Sequence, residues 1–229
     1  MEKSLEEKLF HKKENGWNTV DTRKKETIFN FSKDYMNFLN KAKTEREFIV
    51  EATKMAQENG YRDIAEFEKL QPGDKIYFVN REKSMYLAII GTENIENGVH
   101  IIGSHVDSPR LDLKPNPLYE DSELSLMETH YYGGVKKYQW VTLPLAVHGV
   151  IAKKDGTVQD IIIGEKEDDP VLVISDLLIH LSQQQIEKKA GVVVEGEGLD
   201  ILVATKPLTG NDELEKEEKE LDLAEIGGR

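Results

Sequence analysis

A chain of 229 residues has room for one large domain or two modest ones, each with a core of its own. Its 43 acidic residues against 30 basic ones give a formal charge of −13, which repels phosphate backbones and anionic bilayers and predicts neither nucleic acid nor a membrane as partner. It has no cysteine, which excludes disulfides, thiolate metal sites and a cysteine nucleophile and leaves His, Asp and Glu as the metal ligands on offer. The opening MEKSLEEKLFHKKENGW lacks the apolar stretch of a secretory signal, and no window approaches the ~20 apolar residues of a membrane span. A soluble, cytoplasmic protein is expected.

In chain order, Ile28, Phe31, Tyr35, Phe38, Leu39 and Ala42 recur at three- and four-residue spacing and predict a helix with one core-facing stripe. A second helix is expected to start after Thr44, which can cap while Glu47 reaches back, and to stop at Gly60. KIYFVN at 75–80, MYLAIIG at 85–91 and GVHIIGS at 98–104 read as strands, the last apolar enough to be covered on both faces. After Pro117 the texture turns β-rich: ETHYYGGVKKYQW, then a hairpin turning at Asp155-Gly156 between Ile151 and Ile161. Residues 175–191 predict one helix, with Ser175 as N-cap and Gly191 as stop. GVVVEGEGLDILVAT returns to strand, and the charge-rich residues 209–229 read as a solvated helix or frayed tail.

The candidate chemistry lies at the end of the third strand, in IIGSHVDSPRLDLKPNP (101–117). On an extended strand residues i and i+2 point the same way, so His105 and Asp107 would emerge together at a sheet's carboxyl edge, where open α/β sheets bind ligands. A neutral imidazole is a zinc ligand, and a carboxylate beside it fixes its tautomer. The spacing alone is equally that of a hydrogen-bonded surface pair. His11, His100 and His148 read as structural, His130 has no assigned role, and Gly133-Gly134 reads as a turn or bulge with no phosphate-loop pattern around it.

The run GSHVDSPRLDLKPNP resembles the Gly-x-His-x-Asp-Ser-Pro-x-Leu-x-Leu-Lys-Pro segment of the aminopeptidase I and aspartyl aminopeptidase family of co-catalytic zinc exopeptidases. ETHYYGGVKKYQWVTLPLAVHGVI and DLLIHLSQ are similar to later segments of that family, so the resemblance runs in order from about Thr22 to Thr205. It implies a partial α/β zinc-peptidase catalytic domain (1–113), an inserted β-rich (α+β) dimerisation domain (114–208) and the acidic segment 209–229. By resemblance His105 is a zinc ligand, Asp107 the acid that orients the site, and His180 a catalytic histidine reaching a neighbouring subunit's active site. No other cofactor-binding residue is implied.

The family's remaining ligands for two zinc ions, a bridging aspartate and a Glu-Glu pair among them, have no match in this sequence. Glu217-Glu218 lacks the apolar strand that would hold a base rigidly. The expectation is therefore a metallo-aminopeptidase by family, acting on peptides with a free N-terminus, in a chain that is truncated, inactive and homo-oligomeric on a dimer base. The alternative is a non-catalytic oligomerisation or binding module derived from such a peptidase.

Overall fold

The computed structural model describes residues 13–206 together with Leu5, Leu9 and Phe10. Its contacts divide the chain into two compact units, Met1–Val106 and Asp107–Arg229.

In the first unit, helix α1 (Thr22–Lys41) starts where the carboxylate of Asp21 accepts the Lys24 N–H at 2.7 Å. Helix α2 (Glu45–Glu58) carries the expected capping box: the Glu47 N–H donates to Thr44 Oγ1 at 3.3 Å, and Glu47 Oε2 accepts the Thr44 N–H at 2.9 Å. Gly60, at φ +81°, follows its end as expected. Thr44→Ala removes this cap and is expected to cost about 1 kcal/mol, read as a lower urea midpoint with an unchanged slope.

Three strands follow, β1 (Arg62–Asp63), β2 (Lys75–Asn80) and β3 (Ser84–Ile89). They form one sheet in that order, β1 parallel and β3 antiparallel to β2. Ile49 and Ala56 of α2, Ala42, and Ile76 and Tyr77 of β2 are the buried apolar residues here, and Gln57 Nε2 donates to Tyr77 Oη at 2.9 Å.

Two expectations fail in this unit. Helix α1 forms but buries none of its residues: Ile28, Phe31, Tyr35 and Leu39 stay exposed, and Phe38 meets Phe48 edge-on at 5.0 Å. No layer of the unit's described residues covers the rest of the stripe. Likewise, residues 98–104 form no strand, and Ile101 and Ile102 are 83% and 100% exposed. A strand exists through the hydrogen bonds of a neighbour, and none of the described strands pairs with this stretch.

The second unit is built on β4 (Arg110–Asp121), β5 (Leu124–Tyr132), β6 (Pro144–Leu145), β9 (Leu172–Val173) and β10 (Ile201–Ala204), in spatial order β4-β5-β10-β9-β6. Strands β7 (Val147–Ala152) and β8 (Val158–Ile163) make a separate antiparallel ribbon. Its turn holds Asp155 and Gly156, the glycine at φ +85°, as the sequence predicts. The core gathers Met127, Leu172, Ile174, Val194, Leu199 and Ile201, with Trp140 among the residues packed against it.

Strand β4 is the surprise, since it runs through Pro115 and Pro117. It occupies the sheet edge, where a residue without an N–H removes no ladder bond, and its register with β5 slips between Leu113 and Leu118.

The helix expected over 175–191 shrinks to the single turn α3 (Gln183–Ile186). Asp176, not Ser175, organises the approach: its carboxylate accepts the Leu177 N–H at 2.8 Å and Gln185 Nε2 at 2.9 Å, competing with helix hydrogen bonding. Leu177, Leu178, Ile179 and Leu181 are left exposed. Of the strand-like 191–205, only β10 pairs; Gly196–Gly198 is a 3-10 turn. Among the described residues no helix is long and apolar enough to cross a membrane.

Candidate active site

His105 is exposed and is the next-to-last residue of the first unit; Asp107 is half-buried and opens the second. Because no strand forms across them, the pleat that was expected to aim both side chains the same way is missing. Asp107 is held instead by residues distant in sequence. Tyr132 Oη donates to its Oδ2 at 2.8 Å.

The cause lies in the β4–β5 register, which sets Arg110 directly opposite Tyr132. The Arg110 guanidinium lies over the Tyr132 ring, 4.2 Å from its centre, while its Nε donates to Asp112 Oδ1 at 2.7 Å. At the end of β5 the chain turns through Gly133, φ +79°, packed on Pro109: a Cβ here would sit 3.6 Å from Pro109 Cα. Residues 107–112 and 130–133 thus form one knot of two segments that the sequence holds apart by residues 113–129.

His180 stands exposed in the turn before α3. His130 is exposed and stacks on Tyr131, ring centres 5.5 Å apart. His148 bonds Glu165 Oε1 through Nε2 at 2.9 Å, in keeping with a structural role. His11, Glu217-Glu218 and the segment 209–229 lie outside the described residues. Among those described, no three His, Cys, Asp or Glu side chains converge as metal ligands. A firm zinc site takes three or more protein ligands, so these residues do not by themselves fit the metal.

Further along the same sheet, Asp200 ties three strands together. Its Oδ2 accepts Tyr119 Oη at 2.8 Å, its Oδ1 accepts the Thr129 N–H at 3.3 Å, and the buried Thr129 Oγ1 donates to the Leu199 carbonyl at 2.6 Å. The carboxylate that accepts the phenol's proton pushes the Tyr119 pKa up to about 12. Since the folded value lies above the unfolded one, this bond's stabilisation is complete below pH 10 and fades as pH rises from 10 toward 12. Titration followed at 295 nm is expected to show a late tyrosine component that Asp200→Asn returns toward the ordinary range. Lys114 Nζ, 2.7 Å from Glu197 Oε2 and 3.7 Å from Glu128 Oε2, has its pKa raised, first by the hydrogen bond to Glu197.

The profile of the family described as aminopeptidase I zinc metalloprotease (M18) matches residues 38–226, more than half the chain. The chain belongs to the M18 family. It is 49% identical over 212 residues to a probable M18 family aminopeptidase 1 of Clostridium acetobutylicum, covering 91% of this chain and 46% of that one. The crystal structure of the M18 aminopeptidase from Thermotoga maritima superposes with a TM-score of 0.82 at 37% identity, over 95% of this chain and 48% of that one. A dodecamer structure from S. cerevisiae, at 21% identity and TM-score 0.56, shares the fold alone. This M18 chain thus spans about half the length of the curated relatives it matches.

The sequence named His105 and Asp107 but missed Tyr132 and Arg110, although both stand inside the segments that carry the family resemblance. The signal that finds them is the pairing of β4 with β5, which the prolines of β4 conceal.

Proposed function

We propose that this chain contributes the His105–Asp107 element and an inserted assembly domain to an M18 zinc aminopeptidase that removes N-terminal amino acids from peptides. Membership in a family described as zinc metalloproteases carries the reading. The carboxylate of Asp107, anchored through Tyr132, supports the role of a side chain that orients a neighbouring imidazole. His105 is the zinc ligand in this proposal. His180 acts from the inserted domain on the carbonyl of a substrate bound in a second copy. Exposed Leu177, Leu178, Ile179 and Leu181 around it suit a segment that is covered on assembly into a homo-oligomer built from dimers.

By themselves the described residues are proposed not to hydrolyse peptides, since they gather no ligand set for one zinc ion and still less for two. The same observation favours a second reading, a non-catalytic assembly module that keeps the family's interface. Native mass spectrometry of the 229-residue chain during zinc titration separates these cases. Dimers or larger assemblies with at most one weakly held zinc per chain are the expected result; two firmly held zinc ions would overturn the incomplete site, and a monomer at all concentrations would overturn the assembly role.

A further inference from the structure

We infer that Asn15 is a modification site: its side-chain amide converts spontaneously to a carboxylate through a cyclic imide formed with the Gly16 nitrogen, with water as the only co-reactant. The inference stands apart from the peptidase reading.

The chain has three Asn-Gly pairs, Asn15-Gly16, Asn59-Gly60 and Asn97-Gly98. A glycine in second place lets its amide nitrogen approach the asparagine side chain with no Cβ in the way. All three asparagines are exposed, so access to water does not rank them. What ranks them is whether the glycine N–H is already in use. Gly60 donates to the Gln57 carbonyl at 2.9 Å and Gly98 to the Ile95 carbonyl at 3.0 Å. Gly16 opens the 3-10 turn Gly16–Asn18, a position whose N–H finds no acceptor inside the turn, and no other described residue accepts it.

The ties of the asparagines themselves point the same way. The Asn59 carbonyl accepts Lys75 Nζ at 3.0 Å and its Nδ2 donates to the Met55 carbonyl at 2.8 Å, at the end of a helix whose Ile49 and Ala56 are buried. Asn97 Nδ2 donates to Glu93 Oε2 at 3.5 Å. At Asn15 the bond falls on the other side-chain atom: Oδ1 accepts the Trp17 N–H at 3.0 Å. That bond draws electron density away from Cγ, the atom to be attacked. Ring closure needs a rotation about the Asn15 Cα–C bond from its extended ψ of 127°. The rotation gives up the 2.9 Å bond from the Asn18 N–H to the Asn15 carbonyl and swings exposed Lys13 and Glu14, which belong to no helix or strand. Gly16 stays anchored from its other side, where its carbonyl accepts the Thr19 N–H at 3.1 Å and Thr19 Oγ1 at 2.9 Å.

In the reaction the Gly16 nitrogen gives up its proton and bonds to Asn15 Cγ. The Cγ–Nδ2 bond breaks, and Nδ2 leaves with that proton as ammonia. Water then opens the imide: attack at Cγ leaves an aspartate, and attack at the main-chain carbon leaves an isoaspartate whose backbone runs through Cγ. Either product adds one negative charge two residues before Trp17, whose ring stacks on Phe29 with centres 5.7 Å apart.

The test is to age the full chain in mildly alkaline buffer and digest it with trypsin, which puts the three pairs in separate peptides, 14–23, 55–62 and 84–110. Amide-to-acid conversion shows as a small gain in peptide mass, and fragment masses assign it to Asn15 rather than Asn18. Peptide 14–23 is expected to convert about five- to ten-fold faster than the other two, the factor by which one hydrogen bond on the attacking N–H holds the reaction back. Conversion of 55–62 or 84–110 as fast as that of 14–23 would overturn the inference. Ageing in urea is expected to bring the three rates together; a lead for 14–23 that persists undiminished in urea would assign it to neighbouring residues and overturn the structural cause. Gly16→Pro removes the nucleophile's N–H while suiting the first position of a turn that follows an extended residue. It is expected to stop conversion at Asn15 and leave the other two peptides ageing as before. Conversion that continues in Gly16→Pro would overturn the imide route.

Discussion

Leu199→Ala is expected to remove about 3 to 4 kcal/mol from the stability of the second unit. The Leu199 side chain is fully buried, at 0% exposure, within the cluster of Met127, Leu172, Ile174, Val194 and Ile201. Truncation leaves a void among side chains from strands β5, β9 and β10 and from the connections that carry Ile174 and Val194, and these cannot all collapse toward it at once. The backbone at this point has a second duty, because the Leu199 carbonyl accepts the hydroxyl of buried Thr129 at 2.6 Å. A shift of the chain to fill the void would stretch that bond, so relaxation is resisted from two sides. Trp140, packed against the cluster, reports the transition by fluorescence once Trp17 is replaced by phenylalanine. A urea midpoint that falls with unchanged slope is the expected result; a loss below about 1 kcal/mol would show that this cluster is not the unit's core.

Gly164→Ala is expected to cost about 2 to 4 kcal/mol, through backbone geometry rather than burial. Gly164 follows β8 at φ +97°, a conformation that L side chains rarely adopt. A Cβ built there would lie 2.8 Å from the Leu145 carbonyl oxygen and 3.1 Å from Ala146 Cα, both backbone atoms that cannot rotate away. The same glycine begins a turn in which Asp169 Oδ2 accepts the N–H groups of Gly164, Glu165 and Lys166 at 2.8, 3.1 and 3.1 Å. Moving Gly164 to escape the collision therefore loosens that turn as well. Gly156→Ala provides the comparison: its φ is +85°, but nothing lies within 4 Å of the added carbon. That variant is expected to lose only the conformational part, about 1 kcal/mol. Equal losses at the two glycines would exclude the collision.

What the residues declared in advance and what they withheld divides along one physical line. The capping box at Thr44 and Glu47, the strand at 75–80 and the Asp155-Gly156 turn are fixed by neighbours a few residues away, and the structure bears them out. Residues 98–104 and 175–191 have patterns just as clear, yet neither forms its expected element, because apolar periodicity states a preference that packing must complete. Strand β4 was hidden for the converse reason: its prolines argue against a strand everywhere except at an edge, and edge position is a property of the sheet. The site shows the same division. His105 and Asp107 stand two residues apart and are visible by spacing, whereas Tyr132, with Arg110 over its ring, joins Asp107 through a register between strands that no local pattern records.

The exposed run at residues 99–102 also bears on how this protein must be handled. A stretch rich in β-branched residues, with open backbone and no proline or acidic side chain, is a template on which another such stretch can add as a strand. Loss of the dispersed chain by that route is bimolecular. Its shelf life would accordingly be governed by concentration more than by temperature, and a charged residue in place of fully exposed Ile102 would lengthen it while leaving the melting point where it was.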